Sequence, residues 1–481
     1  MGILGWVGMG GVVVHGLPQR KNDVDTGSYW DFCPAHMYIL IYSFDNLTCV
    51  SVKLSVFFTY IWVKLSVFFT FELFGGYNMK RKLFAYLQRH LEKKEITILT
   101  GARQTGKSTL LKQLEAYCRE SNIRTAFFNL ENNTLRQDLD GHPFNLLKYL
   151  PDDQGYKVAF IDEVQYLKDP SNFLKLIYDE YQGQIKLVVT GSSAFYIDDK
   201  FRDSLAGRKR IFHLLTCSFD EYLSLSGKME LAEEFKRILR EPSAKTISID
   251  HLRNEWELYM LYGGYPAVIT ESDRGEKIAR LREIRDSFVK RDIHESGVLN
   301  ETMFYSLFKI LASQTGSLVN VNELALTLKI KHQTASNYIT VLRKCFHMAL
   351  VTPFHKNIRK ELTKMPKLYM LDLGLRNCLL NNFDPLNGRL DKGEIWENMV
   401  YRVLAERYGL EGLSFWRTTD GNEVDFVLSD IDAPKAIEAK YDKQLIKPSK
   451  YKLFNANYPD IPLAFSWLSP FDEDCFRRLY S

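Results

Sequence analysis

The stretch ITILTGARQTGKSTLLKQLEAY, beginning at Ile96, constrains the fold of this chain more than any other feature. Its first five residues are apolar or β-branched, as in a buried strand, and leucines recur at helical spacing after Gly106. Between the two patterns, residues 101–108 match G-x-x-x-x-G-K-[ST], whose backbone N–H groups surround phosphates when a strand precedes and a helix follows. The sequence therefore predicts a strand–loop–helix unit that binds phosphate groups.

Four positions of this loop have an expected role in binding ATP and Mg²⁺. Gly101 and Gly106 let the backbone curl toward the phosphates, and the following helix adds its positive N-terminus. Lys107 is expected to contact the β- and γ-phosphates, and Ser108 to ligate Mg²⁺. The predicted nucleotide-binding residues of the loop are Gly101, Ala102, Arg103, Gln104, Thr105, Gly106, Lys107, Ser108 and Thr109.

A second apolar run, YKVAFIDEVQYL from Tyr156, ends in the acidic pair Asp162 and Glu163. Buried parallel strands have this near-continuous apolar pattern, and their carboxyl ends are where open α/β sheets bind ligands. Asp162 is expected to complete the nucleotide site by holding the Mg²⁺ shell, and Glu163 to polarise the attacking water. The alternative is a pair of strand-end carboxylates that cap the next helix.

Two later segments offer further candidates near the γ-phosphate. The strand-like IKLVVTGSS ends in Ser192 and Ser193, either of which could orient water or cap a helix. In SLAGRKRIFHL, Arg208 lies between a helix and a strand, from where it could reach a phosphate of its own chain or of a neighbour in a homo-oligomer. The alternative for Arg208 is a solvated basic cluster.

The repeated strand–helix units predict an α/β fold with a doubly wound parallel sheet.

The middle of the chain predicts a winged helix. Three amphipathic helical patterns run from SLFKILASQ to HQTASNYITVLRKCF, and ALVTPF resembles a wing strand. Residues 334–343 take the place of a recognition helix, and the side chains that could meet DNA are Lys331, Gln333, Asn337 and Arg343. The alternative is a winged helix used only for packing, which the scarcity of basic residues favours.

Near the C-terminus, two strand-like runs carry a spacing typical of restriction-type nucleases. In NEVDFVL…KAIEAK, Asp425, Glu438 and Lys440 match D-(x)12-E-x-K, and Glu397 lies on the apolar stripe of a preceding helix. In such a site Glu397, Asp425 and Glu438 would hold a divalent metal, and Lys440 would position or activate water. The alternative is an ordinary charged hairpin, because E-x-K is a common sequence.

The first 78 residues differ from the rest of the chain. They repeat VKLSVFFT at 52–59 and 63–70, and a lysine in each copy interrupts the apolar run before it reaches membrane-spanning length. We expect no stable membrane insertion. We expect residues 1–78 to be a non-native or disordered extension with the natural start at Met79; a weak membrane-associating hairpin is the alternative.

Composition limits the class of protein. A chain of 481 residues is too long for one core, and 46% hydrophobic with 25% charged residues describes a globular protein. The net charge of +4 permits a nucleic-acid partner without demanding one. Seven scattered cysteines without CxxC spacing argue against a zinc site and a disulfide framework, and they suit the cytoplasm.

Several motifs together resemble a known family. GARQTGKST, FIDEVQYL, TGSSA, LAGRKR with CSFDEYL, and YGGYPAV look like the prokaryotic AAA-type P-loop ATPases with a C-terminal restriction-endonuclease-like domain of unknown function. The resemblance runs from about Met79 to the C-terminus. It implies an ATPase core, a small helical region, a winged helix and a nuclease-like end. It also implies nucleotide contacts for Lys107 and Ser108, a Mg²⁺ and water site at Asp162 and Glu163, and a phosphate-sensing Arg208.

These observations predict one domain order and one function. The expected order is an N-terminal extension, the AAA-type ATPase domain, a helical region, a winged-helix-like domain and a restriction-endonuclease-like domain, at residues 1–78, 79–225, 226–299, 300–360 and 361–481. The predicted function is a Mg²⁺-dependent ATPase coupled to a nuclease-like domain, with DNA as a candidate partner through the winged helix or that domain. The alternative is a nucleotide-gated regulator whose C-terminal domain is catalytically inert.

Overall fold

The structure is a computed structural model that describes residues 12–15, 38–43, 46–50, 79–152, 155–191, 205–295, 298, 300–354, 365–429 and 431–480. For the strands before residue 51 and for 289–295, only the backbone is described. The VKLSVFFT repeat, Ser192 and Ser193 lie outside the described residues. The chain divides into two compact units, Met1–Asn78 and Met79–Ser481.

The first unit contains a three-stranded antiparallel sheet in the order β1-β2-β3. Its strands are β1 Val12–His15, β2 Tyr38–Ser43 and β3 Asn46–Val50. The β-branched and aromatic side chains in these segments favour extended backbone.

The second unit begins with a five-stranded parallel sheet in the order β5-β6-β7-β4-β8. Its strands are β4 Ile96–Thr100, β5 Arg124–Asn129, β6 Lys157–Asp162, β7 Ile185–Gly191 and β8 Lys209–His213. The central strands β4 and β7 are buried along their whole length, which explains why their sequences are mostly apolar or β-branched. The predicted parallel α/β sheet is confirmed.

Helices cover both faces of this sheet. They are α1 Leu83–His90, α2 Lys107–Glu120, α3 Asn133–Gly141 and α4 Pro170–Tyr181, with short 3-10 helices at Pro143–Tyr149 and Val164–Tyr166. Successive strand residues point to opposite faces, so Leu99 and Phe160 pack with α1 and α2, while Ile98 and Ile161 pack with α3 and α4. The sheet is therefore doubly wound.

A helical region follows the sheet. Its helices are α5 Phe219–Leu225, α6 Met229–Arg240, α7 Ile249–Tyr262, α8 Pro266–Ile269, α9 Arg274–Glu295, α10 Glu301–Ser313, α11 Val321–Leu328 and α12 His332–Lys344. Helices α10 to α12 lie at the three segments predicted to be helical. The side chain of Asn320 caps α11, and Lys329, in left-handed conformation at φ 53°, ends it and turns the chain toward α12.

The C-terminal part is built on a six-stranded mixed sheet in the order β10-β9-β11-β12-β13-β14. The strands are β9 Met348–Pro353, β10 Lys367–Met370, β11 Ser414–Arg417, β12 Glu423–Leu428, β13 Lys435–Asp442 and β14 Leu463–Ser469. The α-helices are α13 Leu373–Leu380, α14 Lys392–Tyr408, α15 Lys452–Asn457 and α16 Glu473–Tyr480, and the 3-10 helices are Leu386–Gly388, Lys443–Leu445 and Pro448–Tyr451. Strand β9, expected as a wing, pairs with β11 in parallel and so joins the C-terminal sheet.

One hydrophobic core runs through most of the second unit. It includes Ala102 of the phosphate-binding loop, Trp256 of α7, Phe476 of α16, and Leu371, which follows β10. The Phe476 ring lies 5.3 Å from that of Trp256, so the last helix packs against the helical region. The phosphate-binding loop and the C-terminal sheet therefore belong to one packed body. Within the described residues, no helix is long and apolar enough to cross a membrane.

Candidate functional site

The phosphate-binding loop connects the end of β4 to the start of α2 and depends on unusual backbone conformations. Gly106 has φ 93° and Gln104 has φ 60°, both in the left-handed region. A side chain at Gly101 would overlap the carbonyl oxygen of Leu214, so only glycine fits there. The loop is thus held tightly against the segment that follows β8.

The Lys107 side chain folds back over this loop. Its buried ammonium donates hydrogen bonds to the carbonyl oxygens of Gly101, at 2.9 Å, and Ala102, at 2.8 Å. The hydroxyl of Thr105 also donates to the Ala102 oxygen, at 2.9 Å. These two acceptors are neutral backbone groups that hold the ammonium at the loop. Half-buried Ser108 follows in the first turn of α2.

The acidic pair lies at the carboxyl end of β6. The Thr190 hydroxyl on neighbouring β7 donates to Asp162 Oδ1 and accepts a 3.0 Å hydrogen bond from the Glu163 backbone N–H. Gln165 Nε2 donates to Glu163 Oε2. Glu163 has φ 60°, a strained conformation of the kind that clusters at functional sites. One buried hydroxyl therefore positions both acidic residues.

The electrostatics connect this pair to the loop. Burial raises the pKa of Glu163, while the nearby charges of Lys107 and Arg103 oppose the rise and that of Asp162 adds to it. A raised pKa suits a carboxylate that must take a proton near neutral pH. The Ser108 hydroxyl and Asp162 carboxylate are oxygen ligands of the kind that Mg²⁺ prefers, so these side chains fit the metal chemically.

Arg81 is a residue at this site that the sequence reasoning missed. Its guanidinium donates to the carbonyl oxygens of Thr105 and Leu215, both at 2.8 Å, and pairs with Glu221 at 2.9 Å. Arg81 thereby ties the loop to the segment before α5. It lies among three basic residues in MKRK, and nothing in that run distinguishes it.

The structure does not bring Arg208 to the phosphate-binding loop of its own chain. Its backbone oxygen accepts a hydrogen bond from Ile96, the first residue of β4, whereas the loop follows the last residue of that strand. That separation is about four residues of strand, on the order of 13 Å. The Arg208 side chain instead pairs with Asp179 of α4 at 2.7 Å. A role on a neighbouring chain's nucleotide stays a prediction.

A double glycine joins the part that contains the phosphate-binding loop to the C-terminal part. Gly264 accepts from the Cys217 N–H at 2.7 Å and donates its own N–H to Asp372 Oδ2 at 2.8 Å. At Gly263, with φ 76°, a side chain would overlap the Asp372 carboxylate. Pro266, two residues after Gly264, approaches Gly106 of the loop. The YGGYP segment thus connects the loop with α13, which Asp372 caps.

The DNA-facing candidates of the helical region lie on or directly before α12. Lys331, Gln333, Asn337 and Arg343 are all exposed. Gln333 donates to Asn337 at 2.9 Å. Exposure keeps these side chains available for a partner, and contact with DNA stays a prediction.

In the C-terminal sheet, the four residues predicted from D-(x)12-E-x-K and the preceding helix do converge. The Asp425 N–H donates to Glu438 Oε2 at 3.2 Å, because the two residues lie on neighbouring strands β12 and β13. Lys440 pairs with Glu438 and lies 3.8 Å from Asp425 Oδ2. Glu397 reaches the same place from α14, where the charge of Asp425 contributes to raising its pKa.

A fifth residue, Lys367 of β10, lies between these carboxylates and was not anticipated. Its ammonium is 3.0 Å from Glu397 Oε1 and 3.2 Å from Asp425 Oδ1, and it also pairs with Glu423. The Lys367 side chain is only 2% exposed. The Tyr369 hydroxyl, two residues along the strand, donates to Glu397 at 2.6 Å. We call Lys367, Glu397, Glu423, Asp425, Glu438 and Lys440 the acidic centre.

Burial dominates the proton affinities at the acidic centre. It raises the pKa of Glu397 to about 7 and of Glu438 to about 8; the charge of Asp425 adds to both shifts, and the lysines oppose them. Burial disfavours the charged form of Lys367, but the charges of the nearby carboxylates, that of Glu397 first, outweigh burial and raise the pKa of Lys367 well above the ordinary value.

Across the residues that the structure describes, no group of three or more His, Cys, Asp or Glu side chains is arranged to hold a metal ion.

Three family models match consecutive parts of the chain. The model described as an AAA domain matches residues 93–223, and two domains of unknown function, DUF8612 and DUF4143, match 253–386 and 392–468. No single model spans half of the chain. The phosphate-binding domain is therefore of the AAA P-loop type, as predicted, and a domain of unknown function ends the chain. The restriction-endonuclease-like character of that domain stays a prediction.

Similar proteins and structures add little about function. A protein of Haemophilus influenzae is 24% identical over 372 residues, covering 74% of this chain and 86% of its own length. One of Mycobacterium tuberculosis is 27% identical over 366 residues, covering 75% and 74%. Both are named only as uncharacterized proteins.

Among solved structures, the Thermotoga maritima RuvB Holliday junction branch migration motor is 16% identical, with a TM-score of 0.30 and coverage of 60% of this chain and 95% of that one. The replication initiator DnaA bound to AMPPCP and single-stranded DNA is 15% identical, with a TM-score of 0.24 and coverage of 55% and 86%. With TM-scores this low, we draw no conclusion about fold or function from these two structures.

Proposed function

We propose that this chain is a Mg²⁺-dependent ATPase whose AAA-type domain is packed against a restriction-endonuclease-like C-terminal domain and acts in the cytoplasm. One observation carries the proposal. Thr190 lies on β7, beside the strand β4 that leads into the loop with Lys107, and it holds Asp162 and Glu163 at that same edge of the sheet. A phosphate-binding cation and a water-activating carboxylate are the two groups that ATP hydrolysis needs at one place.

The residues of the site divide the work of phosphoryl transfer to water. Lys107 would leave the loop carbonyls and stabilise the charge that develops on the γ-phosphate. Glu163 would accept the proton of the attacking water, and Thr190 keeps that carboxylate's backbone fixed beside Asp162. Mg²⁺, held by Ser108 and Asp162, would neutralise phosphate charge when bound.

Glu163→Gln tests the proposal. The amide keeps the shape of the side chain and removes the base, so hydrolysis should fall at least about 100-fold while nucleotide binding persists. Glu180→Gln, at an exposed position of α4, is the matched control and should hydrolyse ATP like the wild type. Tight binding with almost no turnover in the wild type itself would instead support a nucleotide-gated regulator.

The convergence of Glu397, Asp425, Glu438 and Lys440 favours a second candidate function, cleavage of nucleic acid, with DNA reached through α12 or the acidic centre. A nuclease assay with Mg²⁺ or Mn²⁺, with and without ATP, compares the wild type with Lys440→Ala. Equal results on single- and double-stranded DNA and RNA would remove this function and leave the ATPase untouched. The close contacts of Lys367 favour the alternative, a catalytically inert C-terminal domain.

Arg208 carries a separate proposal about assembly. Because it lies far from the loop of its own chain, an effect on hydrolysis would have to come through a neighbour's nucleotide in a homo-oligomer. In that case Arg208→Ala would slow hydrolysis, and mixing it with Lys107→Ala chains would restore part of the activity. Equal hydrolysis by Arg208→Ala and the wild type would leave Arg208 with only its contact to Asp179.

A further inference from the structure

The acidic centre already contains a cation at the place where its carboxylates meet. Glu397 comes from α14, and Glu423 and Asp425 come from β12, yet all three contact the single ammonium of Lys367. The ammonium lies nearly equidistant from Glu397 and Asp425, at 3.0 and 3.2 Å. Carboxylates from separate elements that share one cation are the arrangement expected around a bound ion.

A divalent metal and this ammonium cannot share that place. A metal bridging Glu397 and Asp425 would lie about 2.0–2.6 Å from their oxygens, within the volume that the Lys367 ammonium fills. The two positive charges would also repel each other strongly at such a distance in a buried site. Lys440 approaches Asp425 from its other oxygen, at 3.8 Å. Both oxygens of Asp425 therefore face an ammonium group.

The surrounding backbone keeps Lys367 in place. A side chain at Gly316 would lie 3.3 Å from both oxygens of Glu397, so the segment after α10 covers that carboxylate. The Gly316 N–H donates to Leu368 of β10 at 2.7 Å, and Leu318 forms a bridge with Lys367 itself. This segment therefore pairs with β10 beside the ammonium.

We propose that the ammonium of Lys367 is the resident cation of the acidic centre and stands in place of a divalent metal. The centre then holds α14 to the C-terminal sheet through buried charge pairs, and the wild-type domain binds no metal between Glu397 and Asp425. The residues that match a nuclease motif are present, but their ligand is a side chain of the same protein. This inference concerns the C-terminal domain alone and stands whether or not the AAA domain hydrolyses ATP.

Counting bound Mn²⁺ by electron paramagnetic resonance tests the proposal. All proteins are full-length, free of nucleotide, and carry Lys107→Ala so that the phosphate-binding loop contributes no metal. The parent is expected to bind no Mn²⁺ at concentrations up to about 1 mM, the range of weak protein sites for divalent cations. Lys367→Met, which keeps the length of the side chain and removes its charge, is expected to gain one Mn²⁺ per chain. Lys452→Met, at an exposed position of α15, should gain none.

Two results would overturn the proposal. One is a parent protein that binds one Mn²⁺ and loses it in Asp425→Asn. The other is a Lys367→Met protein that unfolds cooperatively, as a folded chain does, and still binds no Mn²⁺. If Lys367→Met fails to fold, the Mn²⁺ count of the parent with and without Asp425→Asn still tests the proposal. That comparison leaves Lys367 unchanged.

Discussion

The phosphate-binding loop and the acidic centre use the same residue types in opposite ways. In the loop, Lys107 donates to two neutral carbonyl oxygens, and the acidic pair opposite it is held by the hydroxyl of Thr190 and the amide of Gln165. In the acidic centre, Lys367 bonds directly to carboxylates. The hydrogen bonds to the carbonyl oxygens and from Thr190 and Gln165 position charged groups of the loop region, whereas the charges of the acidic centre contact each other directly.

The difference shows what a motif does and does not specify. Asp425, Glu438 and Lys440, which the spacing D-(x)12-E-x-K singles out, lie together in the structure. The spacing does not reveal that Lys367, which precedes Asp425 by more than fifty residues, completes the group. Whether a cluster of carboxylates is a metal site depends on which cation reaches it, and that follows from the fold.

Replacing Lys107 or Lys367 by methionine should distinguish the two regions most clearly, because the first change should lower hydrolysis and the second should lower stability. Lys107→Met should lower ATP hydrolysis at least about 100-fold by removing charge from the transition state, with little change in stability. Lys367→Met should destabilise the fold by about 3 kcal/mol, because it leaves buried Asp425 and half-buried Glu397 and Glu423 without their cation. Steady-state hydrolysis and the urea midpoint measure the two effects. An equal loss of hydrolysis in folded Lys367→Met and in Lys107→Met would contradict the assignment of a catalytic role to Lys107 and a structural role to Lys367.

Thr190→Val tests how neutral partners hold the acidic pair. The substitution keeps the shape of the residue, removes the hydrogen bond to Asp162 and leaves the Glu163 N–H without its acceptor. We expect a loss of about 1–3 kcal/mol in the free energy of unfolding and a roughly tenfold drop in hydrolysis. Thr340→Val, at an exposed position of α12, is the control. Unchanged hydrolysis in Thr190→Val would show that the hydroxyl does not position Glu163.

The double glycine offers a test of how closely the two regions are joined. Gly264→Ala would place a methyl group against the Cys217 carbonyl and should cost about 1–3 kcal/mol through overpacking. Gly393→Ala in α14 meets nothing within 4 Å and should be neutral or slightly stabilising. Urea denaturation of both variants makes the comparison. Equal midpoints would mean that the junction is looser than its contacts indicate.

A third buried lysine, Lys186, predicts a dependence of stability on pH. Lys186 donates to the carbonyl oxygens of Lys93 and Glu95, and burial lowers its pKa to about 7, with the charge of Glu95 opposing the shift. Its neighbour His90, whose pKa burial lowers to about 4, is neutral in this range. Between pH 7 and 10.5 the unfolded lysine binds a proton that the folded one has released, so stability should rise with pH.

The slope should approach but not exceed about 1.4 kcal/mol per pH unit. Lys186→Met should remove it. Lys367 should behave in the opposite way, because carboxylates hold its pKa above the ordinary value and its contribution is lost only at more alkaline pH. Urea midpoints from pH 7 to 10 measure the slope, and a flat profile in the wild type would contradict the account of Lys186.

Local patterns predicted the parts of the molecule that lie close together in sequence. The loop from Gly101 to Ser108 and the strand end at Asp162 followed from apolar runs and spacing. Thr190 and Lys367 could not be found in this way, because strand order and register bring them to their partners. Arg208 did carry a signal. A residue directly before a parallel strand lies at the amino edge of the sheet, away from a loop that follows another strand's carboxyl end.

The most direct test of the contrast is the number of Mn²⁺ ions that the wild-type chain binds with and without a non-hydrolysable ATP analogue. We expect one Mn²⁺ per chain with the analogue, lost in Lys107→Ala, and none without it. This expectation would be contradicted by a Mn²⁺ ion that stays bound without nucleotide and disappears in Asp425→Asn, because the acidic centre would then hold a metal after all.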